Sequence, residues 1–213
     1  MAVKLTALQI MSDAPVIPVI VLADLAHAVP LARALLAGGI RMLEVTLRTP
    51  VALACIEAIA RDVPEAVVGA GTVRSAADAQ AAALAGARFA VSPGYTHAVG
   101  RACLDLELPL LPGVATAGEI MAAQQDGYNE LKFFPALQAG GLGLLKAWQG
   151  PFGDVRFCPT GGVTAANAGE LLALSNVVCV GGSWLTPADA VAGGDWARIT
   201  QLAHQAARLP RNV

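Results

Sequence analysis

A (β/α)8 TIM barrel with one extra helix at the N-terminus is the fold class this sequence predicts, on three observations. Eight short apolar runs each end in Gly, Pro, Ser or Thr, and an Ala-rich stretch follows each of them. Those stretches carry apolar residues at three-to-four spacing, as helices packing one face onto a sheet should. The composition is 55% hydrophobic and only 14% charged, which suits parallel strands buried on both faces. Strand–helix alternation implies parallel strands joined by right-handed crossovers. Eight units in 213 residues average roughly 27 residues each, near the lower end for such a barrel. A doubly wound open sheet is the alternative, and eight near-equal units favour closure. No linker, charge block or low-complexity segment divides residues 1–213, so one domain is expected.

Residues before Val16 are expected to form the extra helix, covering the lower end of the barrel. The predicted strands are 16–22, 40–47, 66–70, 88–91, 108–111, 130–133, 155–158 and 177–180. Between and after them the predicted helices are 25–37, 51–60, 76–85, 97–106, 117–125, 142–148, 165–174 and 197–209. Asp24 and Ser75 stand where N-caps belong, and Gly38, Gly86 and Gly127 where helices should stop.

A net charge of −2 gives no electrostatic case for binding nucleic acid or an anionic membrane. No window reaches ~18 apolar residues unbroken by charge, Gly or Pro, as a spanning helix would need. The start, Met1-Ala2-Val3-Lys4-Leu5, has no signal-peptide pattern, so a cytoplasmic protein is expected. Cys55, Cys103, Cys158 and Cys179 lack metal-ligand spacing and read as free, packed thiols.

Barrel active sites lie at the C-terminal ends of the strands. The polar residues predicted there are Glu44, Thr46, Arg48, Thr72, Ser92, Lys132, Thr160 and Ser183. Lys132, one of three lysines, stands inside Leu131-Lys132-Phe133-Phe134-Pro135. Burial in apolar surroundings disfavours an ammonium, and a free amine attacks carbonyls to form a Schiff base. Read alone, the residue is better explained as a lysine snorkelling over the phenyl rings to solvent.

Strand alternation puts Glu44, Thr46 and Arg48 on one face, with Val45 and Leu47 on the other. Glu44 could be a general acid/base and Arg48 a bidentate carboxylate clamp, or the two could form a salt bridge plugging the barrel. By the same alternation Lys132 and Phe134 share a face, with Glu130 one layer nearer the strand's start. Thr160-Gly161-Gly162 and Gly181-Gly182-Ser183 place glycine pairs after the last two predicted strands, where barrels often bind phosphate. His27, His97 and His204 fall in helical stretches or at their starts. The strand ends hold no cluster of His with several carboxylates, which argues against a catalytic metal.

These residues resemble the 2-keto-3-deoxy-6-phosphogluconate (KDPG) and 4-hydroxy-2-oxoglutarate (KHG) aldolase family. The matching stretches include Leu43-Glu44-Val45-Thr46-Leu47-Arg48-Thr49, Val68-Gly69-Ala70-Gly71-Thr72-Val73, Ser92-Pro93-Gly94, Lys132-Phe133-Phe134-Pro135-Ala136, Phe157-Cys158-Pro159-Thr160-Gly161-Gly162 and Gly181-Gly182-Ser183-Trp184-Leu185. The resemblance implies a homotrimeric, cofactor- and metal-independent class I aldolase that cleaves a phosphorylated sugar acid. KDPG would give pyruvate and glyceraldehyde 3-phosphate, a reaction of the Entner–Doudoroff route. It implies Lys132 as the Schiff-base lysine and Glu44 as the acid/base. It further implies that Arg48 and Thr72 hold the pyruvyl carboxylate, that Pro93 and Phe134 shape the pocket, and that Gly161, Gly162, Gly182 and Ser183 bind the phosphate. Three rivals stay open at this point: a 2-keto-3-deoxy-6-phosphogalactonate aldolase, a phosphate-binding barrel isomerase or synthase, and a non-catalytic binder of phosphorylated sugar acids.

Overall fold

The structure, a computed structural model, describes residues 5–212. The reading of the chain's start falls almost wholly outside that span. Helix α1 (Ala7–Ser12) begins with a capping box: Gln9 N–H donates to Thr6 Oγ1, and Thr6 N–H donates to Gln9 Oε1. Its Ile10 and Met11 are fully buried against Ile17, Met42, Val67, Phe89 and Leu111.

Nine strands follow among the described residues: β1 (Val16–Ile20), β2 (Met42–Thr46), β3 (Val67–Gly71), β4 (Ala90–Val91), β5 (Leu110–Leu111), β6 (Gly113–Val114), β7 (Glu130–Phe133), β8 (Arg156–Pro159) and β9 (Val180–Gly182). Between them lie α2 (Ala28–Ala37), α3 (Ala52–Asp62), α4 (Ala76–Leu84), α5 (His97–Asp105), α6 (Ala117–Gln125), α7 (Gly141–Trp148) and α8 (Ala168–Leu172). After β9 come α9 (Ala188–Ala192) and α10 (Trp196–Ala207). Six strands form one curled parallel sheet in the order β5-β4-β3-β2-β1-β9, and a second sheet runs β6-β7-β8. Isolated parallel bridges, Phe157 to Val177 and Thr160 to Gly181, join the end of the second sheet to the β9 segment. The α/β class and the parallel pairing agree with the sequence reading.

The caps fall where expected, with Ala26 N–H donating to Asp24 Oδ1 at 2.9 Å and Asp78 N–H to Ser75 Oγ at 3.1 Å. Asp24, however, caps a short 3₁₀ turn (Leu25–His27) ahead of α2. Other boundaries differ for physical reasons. The fifth predicted strand resumes after Pro112 as β6, because proline has no N–H to give the ladder. Pro112 still accepts there, from Lys132 N–H at 2.9 Å. The eighth lies later than predicted, and Gly181 and Gly182 are inside it, paired with Ile17 and Pro18 of β1. Helix α8 covers only the centre of the stretch predicted as 165–174.

Side chains alternate across each strand, and this alternation builds the site. In β2, Leu43 and Val45 join the large core under the helices, while Met42 joins the inner cluster with Ile10 and Met11. Glu44 and Thr46 therefore continue the inner face. In β7, Leu131 and Phe133 face the helices, so Lys132 points inward. Phe133 packs edge-on against Trp148 of α7 at 5.1 Å, and Trp148 stacks on Phe157 of β8 at 5.3 Å. Each such buried ring contributes about 1.5–3 kcal/mol and holds β7 and β8 to the helix layer. Among the described residues no helix is long and apolar enough to cross a membrane.

Candidate active site

Lys132 Nζ lies 3.2 Å from Glu44 Oε1, and the two side chains are only 7% and 4% exposed. Lys132 is therefore not a snorkelling residue. Its amine also stands 5.2 Å from the centre of the Phe134 ring, within range of an attractive cation–π contact. A buried ion pair of this kind is weak evidence for stability, because desolvation offsets its attraction. Its chemical capacity is plainer: the carboxylate can take the ammonium proton and leave a nucleophilic amine.

The other polar groups of the inner face gather around this pair. Val19, Glu44, Thr46, Arg48, Thr72, Pro93, Lys132, Phe134 and Thr160 line one cavity of about 180 Å³. The proposed salt bridge between Glu44 and Arg48 does not form, since Glu44 bonds Lys132 and Arg48 Nε donates to Thr46 Oγ1 at 3.1 Å. Thr72 reaches the cavity from a backbone at φ 62°, an unusual value for a β-branched residue and worth about 1–3 kcal/mol of strain. The chain on either side holds it there: Leu47 N–H donates to Gly71 O at 2.8 Å, and Val73 N–H to Val91 O at 3.1 Å.

Gly71 makes room for the Glu44 carboxyl group, which a Cβ at that position would overlap. Gly71→Ala must therefore displace Glu44 or push β3 away. We expect it to lower kcat/KM by about 100-fold, the scale of a 1 Å misplacement, while the thermal transition stays cooperative. Steady-state assay together with thermal unfolding checks this outcome.

A second cavity, also about 180 Å³, is lined by Val19, Arg48, Phe134, Thr160, Gly161, Gly162, Val163, Gly181, Gly182 and Ser183. Gly161 and Gly162 have φ of 101° and 77°, a region that side chains avoid. Their carbonyls accept from Leu137 N–H at 3.2 Å and Asn167 Nδ2 at 3.2 Å, and among the described residues their N–H groups have no acceptor. The predicted glycine cradle thus needs one correction. Gly161 and Gly162 form a turn after β8, but Gly181 and Gly182 belong to β9 and are close-approach positions for the Thr160 side chain and the Trp184 ring. Gly182 and Ser183 still line the cavity. Val19 and Arg48 line both cavities and also a third space of about 350 Å³ bounded by Ser183 and Thr186.

Some residues lie elsewhere. Glu130 lines a separate hollow of about 250 Å³ with Leu108 and Tyr128, and that hollow contains none of the strand-end groups. His97 bonds Asp126 at 2.8 Å on the surface. Burial, then the neighbouring Cys158, pushes the Cys179 thiol well above the ordinary thiol range, away from the reactive thiolate. Sequence reasoning gave no place in the site to Val19 and named Thr160 and Thr46 only as strand-end polar residues. Alternation from Ile17 was the signal available for Val19.

The profile of the family described as "KDPG and KHG aldolase" matches residues 8–202. A KHG/KDPG aldolase of Escherichia coli is 52% identical over 203 residues, 95% of each chain. Among solved structures, KDPG aldolase from Legionella pneumophila, with pyruvate captured at low pH as a covalent carbinolamine intermediate, is 48% identical with a TM-score of 0.94 over 96% of this chain and 99% of that one. The Zymomonas mobilis KDPG aldolase solved with 3-phosphoglycerate is 47% identical, with a TM-score of 0.91 over 96% of each chain. With the buried lysine–carboxylate pair and its flanking cavities already in place, this chain belongs to the KDPG and KHG aldolase family.

Proposed function

We propose that the protein is a Schiff-base aldolase that cleaves KDPG to pyruvate and glyceraldehyde 3-phosphate, and KHG to pyruvate and glyoxylate. The observation that carries this reading is the 3.2 Å contact between the buried Lys132 amine and Glu44, in the lining of a cavity that shares Arg48 and Phe134 with the cavity along the glycine cradle. Lys132 Nζ attacks the keto carbon to give a carbinolamine, and loss of water leaves a protonated imine. Glu44 takes the proton of the C4 hydroxyl, directly or through a water. The C3–C4 bond then breaks, its electrons moving into the imine to form an enamine as the aldehyde departs. The same carboxyl group returns a proton to C3, and hydrolysis of the imine frees pyruvate and the amine.

In this reading Arg48 and Thr72 hold the pyruvyl carboxylate, and Pro93 and Phe134 shape the pocket around the imine. Gly161, Gly162, Gly182 and Ser183 take the phosphate, whose binding orients the reacting end from a distance. The reading includes one closed (β/α)8 barrel domain, in which β5 and β6 are a single strand broken at Pro112 and α1 plugs the lower end. The two isolated bridges beside β9 and the burial of Ile10 and Met11 support it. Assembly as a homotrimer belongs to it on family resemblance, and a cytoplasmic location stays an expectation from the sequence.

The test is steady-state cleavage of KDPG, its galactonate C4 epimer and KHG on one preparation. We expect kcat/KM to be highest for KDPG; a preference for the epimer transfers the assignment to the galactonate enzyme, and no turnover of any of the three overturns it.

A further inference from the structure

We infer that Thr46 is a positioning residue that fixes the guanidinium of Arg48 for a substrate carboxylate; this rests on the reading of Arg48 as the carboxylate clamp. Thr46 is 1% exposed and spends its hydroxyl hydrogen on Ile20 O of the neighbouring strand, at 2.8 Å. Its oxygen is thereby turned so that a lone pair faces Arg48 Nε–H, 3.1 Å away. Arg48 itself is exposed and forms no ion pair among the described residues. A long exposed arginine carries much rotamer freedom, and this hydrogen bond is its one side-chain anchor among the described residues.

The anchor also selects an edge of the guanidinium. With Nε–H engaged by Thr46, the two terminal nitrogens are left for a ligand, on a side chain that lines the cavity shared with Lys132 and Thr72. Two parallel N–H donors on one planar group match the two oxygens of a carboxylate. Thr46 ends β2, Arg48 stands two residues further on in the turn that follows, and Glu44 lies two residues before Thr46 on the strand. The chain Ile20 O, Thr46 hydroxyl, Arg48 guanidinium therefore sets the carboxylate at a fixed distance from the acid/base on the same strand. Thr46 does not touch the substrate in this account; it acts through Arg48.

The experiment measures the half-saturating pyruvate concentration for borohydride trapping, and KM and kcat for KDPG, in wild type, Thr46→Val, Thr46→Ser, Arg48→Lys and the Thr46→Val/Arg48→Lys double variant. Valine keeps the shape and removes both hydrogen bonds. We expect Thr46→Val to raise half-saturating pyruvate and KM roughly threefold to tenfold with a smaller change in kcat, Thr46→Ser to stay near wild type, and Arg48→Lys to raise both by about tenfold or more. In the Arg48→Lys background the valine substitution should add little, because the anchored group is already gone. Should Thr46→Val fail to fold, Thr46→Cys replaces it, since a thiol can still occupy Ile20 O but is a poor acceptor for Nε–H. An equal effect of the substitution at position 46 in both backgrounds, or a loss confined to kcat, overturns the role of Thr46. No effect of Arg48→Lys on pyruvate saturation overturns the clamp itself.

Discussion

Lys132→Met is expected to lower kcat/KM for KDPG by on the order of 10⁵-fold or more, the scale seen when a covalent nucleophile is removed. Methionine is close to lysine in length and fills the space beside Phe134, so the loss comes from the missing amine rather than from a void. Without Nζ no imine forms, and the electrons of the breaking C3–C4 bond have only a ketone to receive them. The same substitution leaves Glu44, 3% exposed, without its ion partner. Breaking a buried pair on one side costs about 3–5 kcal/mol. The variant should therefore be both inactive and less stable, and assay and thermal unfolding are to be read together. Activity within tenfold of wild type in a folded Lys132→Met sample contradicts the mechanism.

Glu44→Gln is expected to lower kcat by about 10²- to 10⁴-fold, the usual contribution of one general acid/base. The amide has the size of the carboxyl group and keeps an oxygen for Lys132 Nζ, so the cavity and the space made by Gly71 are preserved. It cannot carry a proton between the C4 hydroxyl and C3. The two variants should separate in kind: Glu44→Gln retains a lysine that pyruvate can load, although more slowly, and Lys132→Met does not. Equal kcat in Glu44→Gln and wild type would assign the proton transfers to another group or to water.

The strand–helix alternation was legible because each strand is a short apolar run closed by a turn residue, a local signal. Local signals also explain the misplacements. Pro112 looks like an end of strand, yet its carbonyl still accepts from Lys132 N–H and the chain continues as β6. Gly181 and Gly182 look like a loop, yet they lie in β9, where the Thr160 side chain and the Trp184 ring occupy the space a side chain would take. The first depends on Lys132 and the second on Ile17, Pro18 and Thr160, all distant in sequence. Within the site, the two-residue alternation put Glu44, Thr46 and Arg48 on one face and Lys132 on another strand's inner face. It could not say which charges meet. Glu44 is 88 residues from Lys132 and four from Arg48, and it is the distant lysine that it bonds. The sequence alone left Arg48 a choice between Glu44 and a substrate; the contact to Thr46 removes the first.

The central claim is that the Lys132 amine forms a covalent imine with a 2-keto acid, and borohydride reduction in the presence of pyruvate tests it most directly. Intact-mass and peptide analysis should find one adduct per chain, pyruvate less one water plus two hydrogens, on the peptide containing Lys132, and none in Lys132→Met. Turnover of KDPG by a preparation that yields no adduct, or an adduct carried by Lys146 instead, would contradict the account.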